Sequence, residues 1–444
     1  LAANFCGEAL RAQLAQEAML CAAASGSPGD VSEELGIEIP ASVGAYHTLL
    51  PLDEHADAVS SALGVGTLVF KGVSSRDGLP YALYRLEPSH AVPSTQTLDA
   101  AKREVARWKA LGGSTGLVPP RDAFVSRDVE GEAALFFAFD YIADAQTLEE
   151  AHGGAHPPSE DRLWSYLVQA TATLSSVHAA GLTLGSGVLH PTKALVGPDG
   201  RLRLSWCGVR RAIGAEGTSG DAAMLQCADV GALGRMLLAL ALGATVDAVG
   251  SDLAQAVGTL ERSGRLGAPL VRVLWSAASG EATSASALLP LLGPHALREL
   301  EARSVQADAL RADLAAEVGS GRLARLLIKM DMVLDRYDDH LDPSYAVQAG
   351  DKHLLRCFRD FAFHQVRDGR PDVDWGHVVE SLNKVDVGAA ERMMLSSREN
   401  ERSVLVASFA DVRHAVQGCY ADLERRAAGG AAHAGGDRGG GGGD

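Results

Sequence analysis

Six cysteines are spread over 444 residues, and no two of them form a Cys-x-x-Cys pair. That scatter excludes a disulfide framework and a zinc ribbon, and it suits free or buried thiols in a reducing compartment. Basic residues are outnumbered, 40 Lys and Arg against 56 Asp and Glu, for a net charge of −16. A generally basic nucleic-acid-binding body is therefore excluded, because neutralising phosphates takes clustered cations. One local cluster remains, Arg201, Arg203, Arg210 and Arg211, readable as a solvated turn or as an anion-facing patch. Long apolar runs are also missing. The most apolar run, Met236 to Leu242, is too short to span a bilayer, and Glu8 and Glu17 interrupt any signal peptide. The expected location is cytosolic or nuclear, without membrane association. The first residue is Leu1 and not Met, so the chain reads as part of a longer protein.

What is present is 47% hydrophobic and 22% charged, enough for one to three globular domains. Residues 5–24 are Ala-rich and helix-forming, and residues 25–45 read as a linker. Strand patterns follow at Thr67–Gly72 and Tyr81–Leu86, separated by a Ser-Arg-Asp-Gly turn. Leu98, Ala101, Val105, Trp108 and Leu111 mark a helix over about 97–111. "ALFFAFDYI" (134–142) is a buried strand, and Leu163, Leu167, Ala170, Leu174 and Val177 mark a second helix over 159–180. Short strands are expected at 194–196 and 202–205, and 220–292 looks helical throughout. Strands, a helix, more strands and then a helical half do not alternate as βαβ units would. That order is the order of the bilobal protein-kinase fold, an α+β architecture.

Phosphoryl transfer in that fold needs a Gly-rich loop, a strand Lys, a helix Glu, a catalytic Asp and Asn, and the Asp of Asp-Phe-Gly. "LGVGTLVFKG" (63–72) offers Gly64 and Gly66 for close approach to an anion, and fits an ordinary hairpin as well. Arg85 is assigned to the Lys position, and Glu104 is its helix partner or a solvent-facing acid. His178 and Leu182 open the catalytic loop, but "LGS" (184–186) stands where the catalytic acid belongs. Lys193 replaces the metal-binding Asn, and Trp206-Cys207-Gly208 replaces Asp-Phe-Gly. The structural helix survives in "ADVGALGRMLLAL" (228–240), with Asp229, Leu233 and Gly234 in frame. The frame of a kinase is kept while its acid and both metal ligands are gone, so phosphotransfer is not expected. His47, His340, His364 and His377 match no metal spacing and read as structural.

Beyond 294, Leu300, Ala307 and Leu314 recur every seven residues with Leu310 between them. They form a short coiled-coil seam, or one face of a helix packed on its own domain. Gly319-Ser320-Gly321 is a place for a kink or break. "DKHLLRCFRDFAFHQV" (351–366) carries Leu354, Leu355, Phe358, Phe361, Ala362 and Phe363, more apolar surface than one helix needs for its own core. "ERSVLVASFADVRHAV" (401–416) reads as a strand running into a helix, and "AAGGAAHAGGDRGGGGGD" (427–444) as a low-complexity tail.

Six stretches carry a resemblance: "YHTLLPLD" (46–53), "FDYIADAQTL" (139–148), "GRLARLLIKM" (321–330), "DKHLLRCFRDFAFHQV", "WGHVVESLNKVDVG" (375–388) and "SSRENERSVLVASFADV" (396–412). In order, over roughly 46–423, they resemble the regulatory subunit of the poly(A)-nuclease deadenylation complex. The resemblance implies a pseudokinase domain (46–294), a dimerising coiled coil (295–333) and a C-terminal knob (334–426); composition adds a helical N-terminal extension and linker (1–45) and a Gly-rich disordered tail (427–444). It implies a noncatalytic scaffold that binds ATP without hydrolysing it and holds the catalytic exonuclease subunit on mRNA poly(A) tails. The implied nucleotide contacts are Arg85, the hinge Asp140, Tyr141, Ile142, Ala143, Asp144, Ala145, Gln146 and Thr147, then Thr192 and Lys193. No metal site or catalytic residue is implied. Further partners would be a second copy of the chain, poly(A)-binding protein through an N-terminal region absent here, poly(A) RNA, and tryptophan-containing silencing-complex proteins. The location would be cytoplasmic, in P-bodies. An atypical kinase and a generic pseudokinase adaptor are the rival readings.

Overall fold

Largely apolar runs over 65–74, 80–86 and 134–140, buried on both faces, put three strands at the centre of the larger folded unit, Ala12–Val305. The computed structural model describes residues 6–23, 37–53, 59–60, 62, 64–111, 115–153, 157–185, 187–215, 221–334, 350–396 and 404–434. Its elements begin with α1 (Glu8–Ala22), β1 (Ser42–Val43), β2 (Tyr46–Pro51), β3 (Val59–Ser60), β4 (Val65–Ser74), β5 (Pro80–Leu86), α2 (Thr95–Ala110), β6 (Pro120–Ser126) and β7 (Ala134–Asp140). These strands form one antiparallel sheet in the order β1-β2-β4-β5-β7-β6, with β3 paired to β4. Its outer face packs around Phe70, Leu83 and Phe136. Its inner face joins the larger core of helices that follow. Ser94 caps α2 by accepting from the Thr97 N–H at 3.1 Å, a contact of about 1 kcal/mol. β6 was not legible in the pattern, since Arg121 and Asp122 interrupt its alternation.

The helical half holds β8 (Gln146–Thr147), α3 (Leu148–His152), α4 (Glu160–Ala179), β9 (Ala194–Val196), β10 (Leu202–Leu204), α5 (Val209–Ala212), α6 (Ala222–Leu242), α7 (Val246–Ser251), α8 (Leu253–Ser263), α9 (Ala268–Ser279) and the start of α10 (Ala285–Leu334). Strands β10, β9 and β8 form a small sheet in that order. Contrary to the expectation from short apolar runs, α6 is long and apolar enough, by length and composition, to cross a membrane. Its most apolar window is 61% buried inside the unit, so it is the core helix against which α4 and α9 pack.

The second unit comprises Leu1–Arg11 and Gln306–Asp444. It includes α11 (Asp351–Phe363), β11 (Val366–Arg367), β12 (Arg370–Pro371), α12 (Trp375–Val387), β13 (Arg392–Ser396), β14 (Val404–Ser408) and α13 (Phe409–Ala434). Its core gathers Leu355, Phe358, Leu382, Leu395, Val412 and Val416. Two expectations are corrected here. The helix does not break at Gly319-Ser320-Gly321, because α10 is continuous to Leu334; Leu and Ala formers on both sides carry it across. The tail expected from 427 remains helical to Ala434, where an alanine-rich run sustains the backbone. The rest of the tail, Ser186, His340, and residues 335–349 and 397–403 lie outside the described residues.

Candidate functional site

Successive strand residues point to opposite faces, and residues paired across strands point to the same face. Those two rules place the cleft residues. Arg85 pairs with Leu68 on β4 and Phe136 on β7, both part of the outer core. Its guanidinium binds Glu130 at 2.9 Å and Glu87 at 3.5 Å. Arg85 therefore lies on the far side of the sheet and is not a cleft residue. Tyr84 pairs with Val69 and Phe137, which face the helical half. In the Val-Ala-Ile-Lys strand motif the cation stands two residues after the Ala; Ala82 plus two is Tyr84, and the same spacing was available in the sequence. Glu104, the expected partner of Arg85, instead lies by Arg107 at 3.7 Å.

Opposite Tyr84, at the Asp position of Asp-Phe-Gly, stands Trp206. The two rings stack with centroids 4.1 Å apart and planes 28° from parallel. Trp206 holds a left-handed backbone, φ 67°, which is unusual for a bulky residue. The Lys193 ammonium sits 4.7 Å over the same ring. Burial pulls the Lys193 pKa down, and the Asp53 charge pulls it back up. Asp53 comes from the strand-to-strand loop over the cleft and accepts the Val69 N–H at 2.8 Å. Burial raises its pKa, offset by that backbone bond and by Lys193. The positions that elsewhere carry a cation and a metal-binding carboxylate are thus two stacked rings. The acid that does face the cleft, Asp53, repels phosphate.

The catalytic-loop region is held without being catalytic. Asp229 on α6 is buried and accepts the Leu184 and Gly185 N–H groups at 2.9 and 3.0 Å. His178 Nε2 lies 3.0 Å from the same carboxylate. Between Thr183 and His190 no acidic residue occurs. Thr192 places its hydroxyl 2.8 Å from His190 Nδ1, and Ser205 donates to the Lys193 carbonyl at 2.7 Å. Burial raises the Cys207 thiol well above its ordinary range, which keeps it protonated and inert.

The hinge runs from Asp140 to Thr147. Asp140 is taken up by Arg121 in a two-point pair at 2.6 and 2.8 Å. Tyr141 and Ile142 pack against the inner core, and Ala143 and Asp144 form the turn, Asp144 at φ 56°. Ala145 donates to the Ile142 carbonyl. Gln146 pairs with Val196, and Thr147 caps α3 in a reciprocal box with Glu150. Asp140 and Ile142 line one cavity with Arg121, Arg201 and Arg203, Thr192 lines another with His190 and Asp247, and Arg85 lies on the opposite face of the sheet.

One feature was missed in the sequence. Lys71, fully buried on the inner face of β4 and directly opposite Ala82, donates to the carbonyls of Cys21 at 2.8 Å, Leu20 at 3.4 Å and Ala23. The signal was there: Val65, Thr67, Val69 and Lys71 alternate on one face, and a Lys on a buried face needs a partner. A magnesium triphosphate does not fit these residues: Lys193 lies against Trp206, Lys71 is bonded to the end of α1, and the cation and metal positions hold the stacked Tyr84 and Trp206 rings.

The other expected features resolve simply. Arg203 and Arg201 bind Asp199 at 2.6 and 3.8 Å, Arg210 reaches the Ala62 carbonyl and Arg211 the Thr183 hydroxyl. Arg201 and Arg203 are thus bonded within their own turn, and Arg210 and Arg211 to other segments. His47 meets Thr48, His364 meets Asp360, and His377 meets the Phe361 carbonyl. No cluster of metal-ligating residues occurs among the described residues.

Residues 285–423 match the Pan3 C-terminal knob domain. The chain is 35% identical over 401 residues to the PAN2-PAN3 deadenylation complex subunit PAN3 of Pyricularia oryzae, covering 86% of this chain and 56% of that one. It belongs to the PAN3 family. Two solved structures agree with the fold. One is the Drosophila melanogaster PAN3 pseudokinase, at TM-score 0.70 and 29% identity over 87% of this chain and all of that one. The other is a Neurospora crassa complex of PAN2 with PAN3, at TM-score 0.73 and 25% identity over 94% of this chain and 99% of that one. The chain spans about half the length of the curated relatives it matches. Both solved neighbours are described as PAN3 pseudokinases, and this chain shares their fold.

In the PAN3 knob, the surplus apolar surface is not where the sequence suggested. Leu355, Phe358 and Ala362 of α11 are fully buried, and Leu354, Phe361 and Phe363 pack against the same core. The exposed apolar face lies instead on the hairpin of β13 and β14, where Met394 (75% exposed) pairs with Val406 (57%) and Val404 (61%) extends the row.

Proposed function

We propose that this chain is a noncatalytic regulatory subunit of a poly(A)-specific deadenylase, which recruits and positions a separate exonuclease subunit for mRNA tail shortening. The observation that carries the reading is the order of its parts: a kinase-like unit without acid or metal ligands, a 50-residue helix, and a Pan3 knob. An adaptor of general signalling would not need that knob. The exposed row Met394, Val404 and Val406, with Trp375 half exposed, suits a partner whose own apolar residues seal it from water.

Self-association belongs to the same reading. Leu300, Leu310 and Leu314 on α10 are 64%, 46% and 64% exposed, a seam that a second copy of the helix would cover. Contacts with poly(A)-binding protein, poly(A) RNA and tryptophan-containing silencing proteins, and a cytoplasmic P-body location, are carried by the resemblance to the family. ATP is left out of the reading because the cleft residues do not fit it.

The test is co-purification. The chain with residues 334–444 deleted should keep the fold of its larger unit but lose the exonuclease subunit and slow tail shortening. If the deleted form still captures the nuclease stoichiometrically, the reading fails.

A further inference from the structure

We propose that this chain fills its own nucleotide cleft, so that its pseudokinase unit is held closed by internal contacts and takes no magnesium nucleotide. Two ends of the cleft are blocked by different chemistry. At the hinge end, the carbonyls of the last turn of α1 converge on the buried Lys71 ammonium. A helix C-terminus presents unpaired carbonyls and a partial negative charge, so an ammonium there serves as its cap. Lys71 lies in register with Ala82 and, through it, Phe139. That row forms the roof next to hinge residue Tyr141, whose surroundings include Cys21. The edge of a purine would have to enter where the end of α1 already lies.

At the other end, a bound triphosphate needs free cations and a metal carboxylate. The Tyr84–Trp206 stack occupies that place and is almost wholly buried, 7% and 3% exposed. The Lys193 ammonium sits over the Trp206 ring, under the influence of Asp53. Opening this end would expose two large rings and bring the phosphates against Asp53. The left-handed backbone of Trp206 is consistent with this: a strained residue persists where its neighbours over-determine it, and the stack with Tyr84 supplies that constraint. The inference is independent of nuclease recruitment and holds whichever partner binds the knob.

The full chain and its Lys71→Met variant test it. Thermal unfolding of the wild type in about 2 mM ATP with magnesium should match unfolding without nucleotide, whereas a site of about 20 μM affinity would raise the midpoint by about 5 °C or more. Lys71→Met keeps the length of the side chain and removes the cap. Amide hydrogen exchange over residues 12–23 should then quicken by roughly tenfold or more, while β5, β7 and α4 remain protected. A nucleotide-dependent rise in the midpoint of the wild type would overturn the proposal. So would nucleotide protection of Tyr141, Thr192 or Lys193 amides, or identical exchange of α1 in wild type and variant.

Discussion

Tyr84 is the residue on which this cleft turns, because it replaces charge with area. Truncating it to Ala would leave a void against Trp206 and Phe139, its two ring neighbours. The expected loss is about 3–5 kcal/mol for a large buried aromatic, read as a lower denaturant midpoint for the larger unit. Tyr84→Phe should cost less than about 1.5 kcal/mol, since it keeps the ring and gives up the hydroxyl's contact with the Ser205 side chain. Asp229 makes the opposite kind of contribution. Asp229→Ala strands two buried N–H groups and His178, for a loss of roughly 3 kcal/mol. Asp229→Asn, which keeps one acceptor oxygen, should recover part of that, and the difference between the two variants in urea melts checks it. Asp229 was legible in the sequence because it travels with Leu233 and Gly234 on a helix of fixed spacing. Arg85 was misread because a lone basic residue in a strand draws attention by charge, whereas the pleat decides by register.

Helices were legible where the period was long and regular, as in α2 and α4, whose apolar faces agree with the structure. They were misread where composition alone was used. Gly319 and Gly321 suggested a break that α10 does not make, since a few unfavourable residues cost about 1 kcal/mol each and the flanking helix outweighs them. The docking of α1 was not legible, because it depends on a Lys fifty residues away. The unbroken α10 sharpens the prediction for self-association. Leu310→Glu with Leu314→Glu would place charges in a seam that a partner helix must cover, where an unpaired charge is costly. Light scattering at micromolar concentration should give a dimer mass for wild type and a monomer mass for the double variant, with helix content unchanged. A monomeric wild type would remove the seam from the account.

At the scale of the whole molecule, each of the two units has a core of its own. The larger unit gathers its buried residues around the sheet and α6; the knob gathers its own around Phe358. Local unfolding proceeds in contiguous cooperative units, so damage confined to one core should lower the stability of its own unit first. Phe358→Ala provides that test. The ring is fully buried and lies edge-on to Phe409 at 6.2 Å between centroids. Its loss should cost the knob roughly 3–5 kcal/mol. Calorimetry should then resolve a knob transition moved to lower temperature and a transition of the larger unit left in place. Recruitment of the nuclease should fall with the knob and not with the larger unit, because the exposed face of β13 and β14 is built on the same core through Met393 and Leu395. The paired outcome separates the two roles. Tyr84→Ala should weaken the larger unit while nuclease capture by the knob persists, and Phe358→Ala should do the reverse. If both variants abolish capture equally at a temperature where the untouched unit remains folded, the two units act as one.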